Sequence, residues 1–328
     1  MTSKPELALA DKTPFPFFLG RGRSGTTLVR AIFDSHSQMA VPNESYFVAA
    51  MSANRHRYET PSGFQLETFM QDLFRRRGFI SWGLDLEAVR EELLENRPGS
   101  LADAIRAVYR VYAREHGKTR YGDKTPIYVM AIDPVAAILP EAVFVHVVRD
   151  GRDSALSYRE VPWGPATIEE SAFRWRRAVG KARSSARTLD PSRYTELRYE
   201  DLVADPEKVV RAICHFIGLG YEEEMLKYFE RADEVTALMR HPQTRSGIYK
   251  PVSSGLRDWS TQMPPSDVVR FEAIAARSLV EYGYPLSSHR VGLLRRLLSW
   301  IRVGQVLVSE RIRKLRRRHQ LAQEQSPG

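Results

Sequence analysis

Short apolar runs alternate along this chain with segments of helical periodicity. "FPFFL" (15–19) and "AVFVHVV" (142–148) are unbroken apolar runs of strand length, "YTELRY" (194–199) reads as a third strand, and "RYGDKTP" (120–126) as a short strand ending in a loop. Between them, apolar positions recur at helical spacing over residues 100–117, 168–188 and 205–218. The last of these has an acidic start and ends at Gly218, as a helix should. Strands alternating with helices predict a parallel α/β sheet, whose ligands bind where strands end and helices begin. Residues 240–262, rich in Ser, Pro, Gly and Arg, predict a long loop of the kind that often carries function.

Near the carboxyl end the spacing changes. Val291, Leu294, Leu298, Ile301, Gln305, Val308, Ile312 and Leu315 fall at alternating three- and four-residue steps, a heptad seam with one polar interruption. Leu293, Leu297, Trp300 and Leu307 widen the apolar face. This predicts a long amphipathic helix that docks on the body, pairs with a second copy as a homodimer, or lies on an anionic membrane. The expected organisation is one domain over residues 1–288 followed by a basic amphipathic helix and tail over 289–328.

Charge sharpens that division. The net charge of +9 is carried entirely by residues 290–318, where ten Arg/Lys face one acid, Glu310. The remainder is neutral overall, which argues against a body that binds nucleic acid. Composition, 43% hydrophobic and 27% charged, is that of an ordinary globular enzyme. The single cysteine, Cys214 in "AICHFIG", excludes a disulfide framework and reads as a buried helix position. The first residues lack the pattern of a signal peptide, and no apolar run reaches the length of a membrane span, so a soluble cytoplasmic protein is expected.

The chemistry concentrates at two strand ends. After the first strand, Gly20, four residues, then Gly25, Thr26 and Thr27 fit the phosphate-loop pattern except that Thr26 stands where a nucleotide triphosphatase has lysine. Glycines let successive amides point at one anion, and the following helix adds its positive end. Without the lysine, triphosphate hydrolysis is disfavoured, and Arg23 offers a fork-shaped cation instead. After the second strand, "VVRDGRDSALSY" delivers Arg149 at the strand end and Ser157 eight residues later. Phosphate sites at two adjacent strand ends imply a nucleoside with phosphates at both ends.

These segments resemble the sulfotransferases that use 3′-phosphoadenosine 5′-phosphosulfate (PAPS), most closely the tyrosylprotein and bacterial branch. "GRSGTTL" is similar to their 5′-phosphosulfate loop, "VVRDGRDSALSY" to their 3′-phosphate segment, "RYGDKTP" to their strand-end lysine segment and "IYKPVSSGLRDW" to their late closing loop. The resemblance covers residues 15 to 260 or so. It implies a P-loop-like three-layer fold with a central parallel β-sheet flanked by helices, and transfer of the sulfuryl group from PAPS to a hydroxyl acceptor without a metal. It assigns Glu44, in "VPNESYF", as general base, with burial raising its pKa, and Lys124 and Arg23 as stabilisers of the leaving phosphate. In the steroid and phenol branch a histidine two residues after that lysine is the base; here the position is Pro126, which supports Glu44. Arg23, Ser24, Gly25, Thr26 and Thr27 would hold the 5′ group and Arg149 and Ser157 the 3′-phosphate. Tyr199 would contact the nucleotide, and Lys250, Ser253, Ser254 and Arg257 would belong to the closing loop.

His36, at the end of the first helix, reads as a structural cap. Residues 45–95 and 159–175, with Tyr46, Trp82, Trp163 and Trp175, are candidates to line the acceptor site; phenol, sugar, natural-product hydroxyl and peptide tyrosine all stay open. Two other functional readings stand beside this one: a small-molecule kinase, and a nucleotide- or RNA-binding module acting through the basic tail.

Overall fold

The computed structural model describes residues 13–237, 247–252, 257–289 and 291–324. The elements that matter here are β1 (Phe15–Gly20), α1 (Thr26–Asp34), α2 (Leu101–Glu115), β2 (Asp123–Lys124), β3 (Ala142–Val148), α3 (Gly151–Tyr158), α4 (Ile168–Ala186), β4 (Tyr194–Arg198), α5 (Pro206–Phe216), α6 (Pro265–Glu281) and α7 (Leu293–Glu324). The chain divides into two compact units, Met1–Arg149 with Lys181–Leu256, and Asp150–Gly180 with Arg257–Gly328. The terminal helix, expected as a separate segment from residue 289, falls in the second unit, where α7 packs on α6.

The first unit is built on a four-stranded sheet in the order β2–β1–β3–β4, parallel at every pairing. Every residue of β1 and β3 is buried, which is why both read as continuous apolar runs: a parallel sheet is covered on both faces. Phe18, Val145, Val147 and Leu197 turn to one face and meet Val29, Ile32 and Phe33 of α1 and Val210, Ile213 and Cys214 of α5. Phe15 and Phe17 turn to the other, against Tyr109 of α2, Tyr128 and Phe144. Cys214 is buried as expected, and burial pushes its thiol up to about 12, so it is no nucleophile. The chain leaves β1 toward β2 on one side and leaves β3 toward β4 on the other. The adjacent carboxyl ends of β1 and β3 therefore form a switch point, where ligands of such sheets bind.

The second unit is organised around a buried guanidinium. Arg152 of α3 is fully buried and donates to Asp150 (2.7 Å), to Glu272 of α6 (2.8 Å) and to the Pro285 carbonyl (2.7 Å). The Trp259 ring lies 3.5 Å beneath it, and Glu272 also accepts from the amide and hydroxyl of Ser287, each at 2.8 Å. A charge taken out of water this completely is tolerated only when its donors are satisfied. Trp175 of α4 packs against Phe271, Tyr282 and Tyr284 beside it.

Removing one carboxylate leaves the other partner buried and uncompensated. Glu272→Ala is expected to lower the free energy of unfolding by ~3–5 kcal/mol, read from urea midpoints, and a loss under about 1 kcal/mol would show that the cluster is not needed.

Candidate active site

The turn after β1 is shaped by backbone that ordinary side chains resist. At Gly20 an added Cβ would stand 2.4 Å from the Val147 carbonyl oxygen of β3, so glycine sets the close approach there. Arg23 (φ 68°) and Gly25 (φ 95°) are both left-handed. Gly25 caps α1 without offering a side chain to its amides, and Val29 makes the first helical bond back to the Gly25 carbonyl at 3.1 Å. The amides of residues 26–28 are thus ones the helix cannot satisfy for itself, at the positive end of its dipole. Ser24 is buried, and its Oγ has no hydrogen-bond partner among the described residues; Thr26 is buried beside it and Thr27 is half-buried. An orphaned hydroxyl and a run of orphaned amides fit an oxyanion.

Tyr199, which follows β4, ties this loop to the end of β3. Its ring lies where a side chain at position 25 would go, with Cδ2 only 2.3 Å from the Cβ that any residue but glycine would carry. The Arg149 guanidinium sits over the same ring, 4.4 Å from its centre. Arg149 is buried, and the ring faces a cation, a contact worth ~0.5–2 kcal/mol that also fixes the guanidinium's direction. Gly25, Tyr199 and Arg149 therefore form one stack at the sheet's carboxyl end.

Glu44 and Lys124 meet 80 residues apart in sequence, with Lys124 Nζ donating to Glu44 Oε1 at 3.1 Å. Lys124 is held by the pairing of β2 with β1, opposite Phe18, and is almost wholly buried. Burial raises the Glu44 carboxyl, but Lys124, the Tyr46 hydroxyl that donates to it, and Arg30 outweigh that and leave it below its ordinary value. The pKa raised by burial that the sequence suggested is not found: the lysine beside the carboxylate decides the sign.

The residues flanking this pair lock its geometry, and the sequence reading missed all of them but Trp82, which it placed at the acceptor site. The Ser45 amide donates to Thr125 Oγ1 (2.9 Å), and the hydroxyls of Ser45 and Tyr128 lie 2.7 Å apart. Tyr109 donates to buried Asp123 at 2.6 Å. Trp82 Nε1 donates to the Asn43 carbonyl at 2.8 Å. At Gly78 a Cβ would lie 2.5 Å from the Ser45 carbonyl oxygen, so glycine lets that turn press on the segment carrying Glu44. The available signal was adjacency: Ser45 follows Glu44, and Asp123 and Thr125 flank Lys124.

Other expected residues have plainer positions. Ser157 is buried on α3 in the second unit. Lys250 is exposed, its carbonyl accepting from Tyr228 at 2.7 Å, and Arg257 pairs with Glu160. Ser253 and Ser254 lie outside the described residues. His36 is structural: the Gln38 amide donates to its Nδ1 (2.9 Å), leaving Nε2 to donate to the Gly220 carbonyl (2.9 Å). Of the aromatic residues expected at the acceptor site, Trp82 and Trp175 are buried in packed clusters, whereas Tyr46 and Trp163 are exposed.

Residues 14–223 match the model of the Sulfotransferase family. The protein-tyrosine sulfotransferase 1 of Danio rerio is 26% identical over 281 residues, covering 83% of this chain and 72% of its own length. The protein-tyrosine sulfotransferase 2 of Gallus gallus is 25% identical over 289 residues, covering 85% and 71%. Among solved structures, the sulfotransferase domain of the Synechococcus PCC 7002 olefin synthase superposes with a TM-score of 0.58 at 23% identity, covering 88% of this chain and all of that one. The sulfotransferase domain from the curacin biosynthetic pathway gives 0.55 at 19%, covering 84% and 99%. At those identities the superpositions speak to the fold, which is the expected one. The expectation of a cytoplasmic protein does not stand, because the curated relatives are Golgi membrane enzymes. Among the described residues no helix is long and apolar enough to cross a membrane.

Asp123 supplies a pH test of the cluster. Burial pushes its carboxyl from 3.8 up to about 6. Folding therefore favours the protonated form, and the stability this gives below about pH 4 is lost as pH rises through about 6. Asp123→Asn, which keeps an acceptor for Tyr109, should gain on the parent by about 2–3 kcal/mol between pH 4 and pH 7 in urea unfolding. A difference that does not change with pH would contradict the buried carboxylate.

Proposed function

Since the chain belongs to the sulfotransferase family, we propose that it moves a sulfuryl group from PAPS to a hydroxyl acceptor, with Glu44 as general base. The observation that carries the mechanism is the Lys124–Glu44 contact of 3.1 Å at the carboxyl end of the sheet that presents the phosphate loop. PAPS would supply an activated sulfuryl group on a phosphate leaving group. The amides that open α1, with Ser24, Thr26 and Thr27, would hold the 5′ phosphosulfate. Arg149, aimed by Tyr199, would hold the 3′-phosphate as a fork-shaped donor. The assignment of Ser157 to that phosphate, and of Lys250, Ser253, Ser254 and Arg257 to a closing loop, rests on their places in the sequence.

In the reaction, Glu44 takes the proton of the acceptor hydroxyl as its oxygen bonds to sulfur. Lys124 and Arg23 hold the negative charge that grows on the departing phosphate oxygen. Before any ligand binds, Lys124 is occupied with Glu44. An anion at the loop competes for that ammonium, and as Lys124 turns to it the carboxylate loses its counter-charge and becomes the stronger base. Sulfuryl transfer resembles phosphoryl transfer in needing positioning and charge stabilisation more than covalent help from the protein. The family match leaves nothing in favour of the kinase or of the tail-borne binding module.

For the acceptor we propose a peptide tyrosine, because the curated relatives are named for protein tyrosine. Incubation with radiolabelled PAPS and an acidic tyrosine peptide, a simple phenol or a sugar distinguishes the candidates. Glu44→Gln should lower kcat by roughly 10²- to 10⁴-fold while leaving the affinity for 3′-phosphoadenosine 5′-phosphate (PAP) within about threefold. Undiminished turnover in that variant would remove Glu44 as the base. Transfer to the phenol or sugar but not to the peptide would remove the acceptor assignment alone.

A further inference from the structure

The seam on α7 faces the wrong way to be a docking surface for its own unit. Ser299 and Val303 are the buried positions, and Trp300 meets Phe173 edge-on (6.1 Å) and lies under Arg176 (5.0 Å). At 100° per residue, Leu294, Leu298, Ile301, Val308 and Ile312 share an arc roughly opposite Ser299 and Val303. These five, with Leu293 and Leu297, are between 44% and 83% exposed. A contiguous apolar strip of that size on a soluble surface marks a surface that something else covers.

Charge separates the two coverings left open by the pattern. Residues 290–318 hold ten Arg/Lys and one acid, and Arg295, Arg302 and Arg311 are exposed along the helix beside the strip. A paired coiled coil needs opposite charges flanking its seam. Two copies of this segment would instead bring together two stretches of net +9, each with ten Arg/Lys against a single glutamate. An anionic lipid surface satisfies both features at once: its headgroups neutralise the arginines, and its acyl boundary takes the leucines. Among the described residues no helix is apolar enough to span, so the helix would lie in the surface plane.

We propose that α7 is an interfacial helix that holds this protein against an anionic membrane, with Leu294, Leu298, Ile301, Val308 and Ile312 inserted and the arginines on headgroup phosphates. The site described above is not involved, so this stands or falls apart from the catalytic reading.

The experiment is flotation of the full chain with phosphatidylcholine vesicles with and without phosphatidylglycerol, at low and high salt, alongside light scattering without lipid. Binding confined to phosphatidylglycerol vesicles, weakened by salt, about fivefold weaker for each of Arg295→Gln, Arg302→Gln and Arg311→Gln, and lost in Leu294→Glu/Ile301→Glu is the expected result. Thermal melting of the double variant at the parent's temperature shows that the loss is not unfolding; because the strip is exposed, the melt should not fall. No flotation of the parent, equal flotation with neutral vesicles, or a lipid-free dimer that the double variant breaks would each overturn it.

Discussion

The ring of Tyr199 fills the space that a side chain at position 25 would occupy, and much of the site follows from that. Gly25 is left-handed and opens α1, so the amides behind it face outward with nothing of the loop's own to bind. The same ring carries the Arg149 guanidinium 4.4 Å from its centre, which places a buried cation at a set direction from the ring. A residue with a Cβ at position 25 would have to move the ring, and with the ring the arginine. Loop, tyrosine and arginine are therefore one mechanical unit, although they come from the ends of three strands, β1, β4 and β3.

The second device is the Lys124–Glu44 ion pair, held from below by its neighbours. The Lys124 backbone is fixed, because β2 is stitched to β1 and the Ser45–Thr125–Tyr128 hydroxyls join its strand end to the Glu44 segment. Such a cluster costs desolvation and returns geometry: each hydroxyl is partnered, so the carboxylate and ammonium face each other at hydrogen-bond distance before any ligand arrives. The depressed Glu44 pKa is the electrostatic signature of that arrangement, a carboxylate held by its own counter-ion.

The sheet was readable because its inner strands are covered on both faces and so spell themselves as apolar runs, and the loop because its glycines have a backbone reason to be there. The Glu44 pKa was not readable, since its dominant opponent lies 80 residues away. Trp82 and Trp175 were read toward the acceptor because aromatic residues line pockets and fill cores alike, and only packing against Phe47, Phe79 and Phe271 separates the two. Of the heptad positions on α7, Leu294, Leu298, Ile301, Val308 and Ile312 are exposed, and which side meets the protein is set by Ser299 and Val303, small residues that carry little weight in any hydrophobic pattern. The cytoplasmic expectation failed because the chemistry of the folded site does not report a compartment.

We propose that the loop and Arg149 together recognise a nucleotide phosphorylated at both ends. Isothermal titration calorimetry of PAP and of 5′-AMP, against the parent and Arg149→Ala, measures that recognition without needing the acceptor. The parent should prefer PAP by roughly 10- to 100-fold, the worth of charge-assisted hydrogen bonds to one more phosphate, and Arg149→Ala should erase most of that preference. Equal affinity for PAP and 5′-AMP in the parent, or a preference that survives the loss of Arg149, would contradict it.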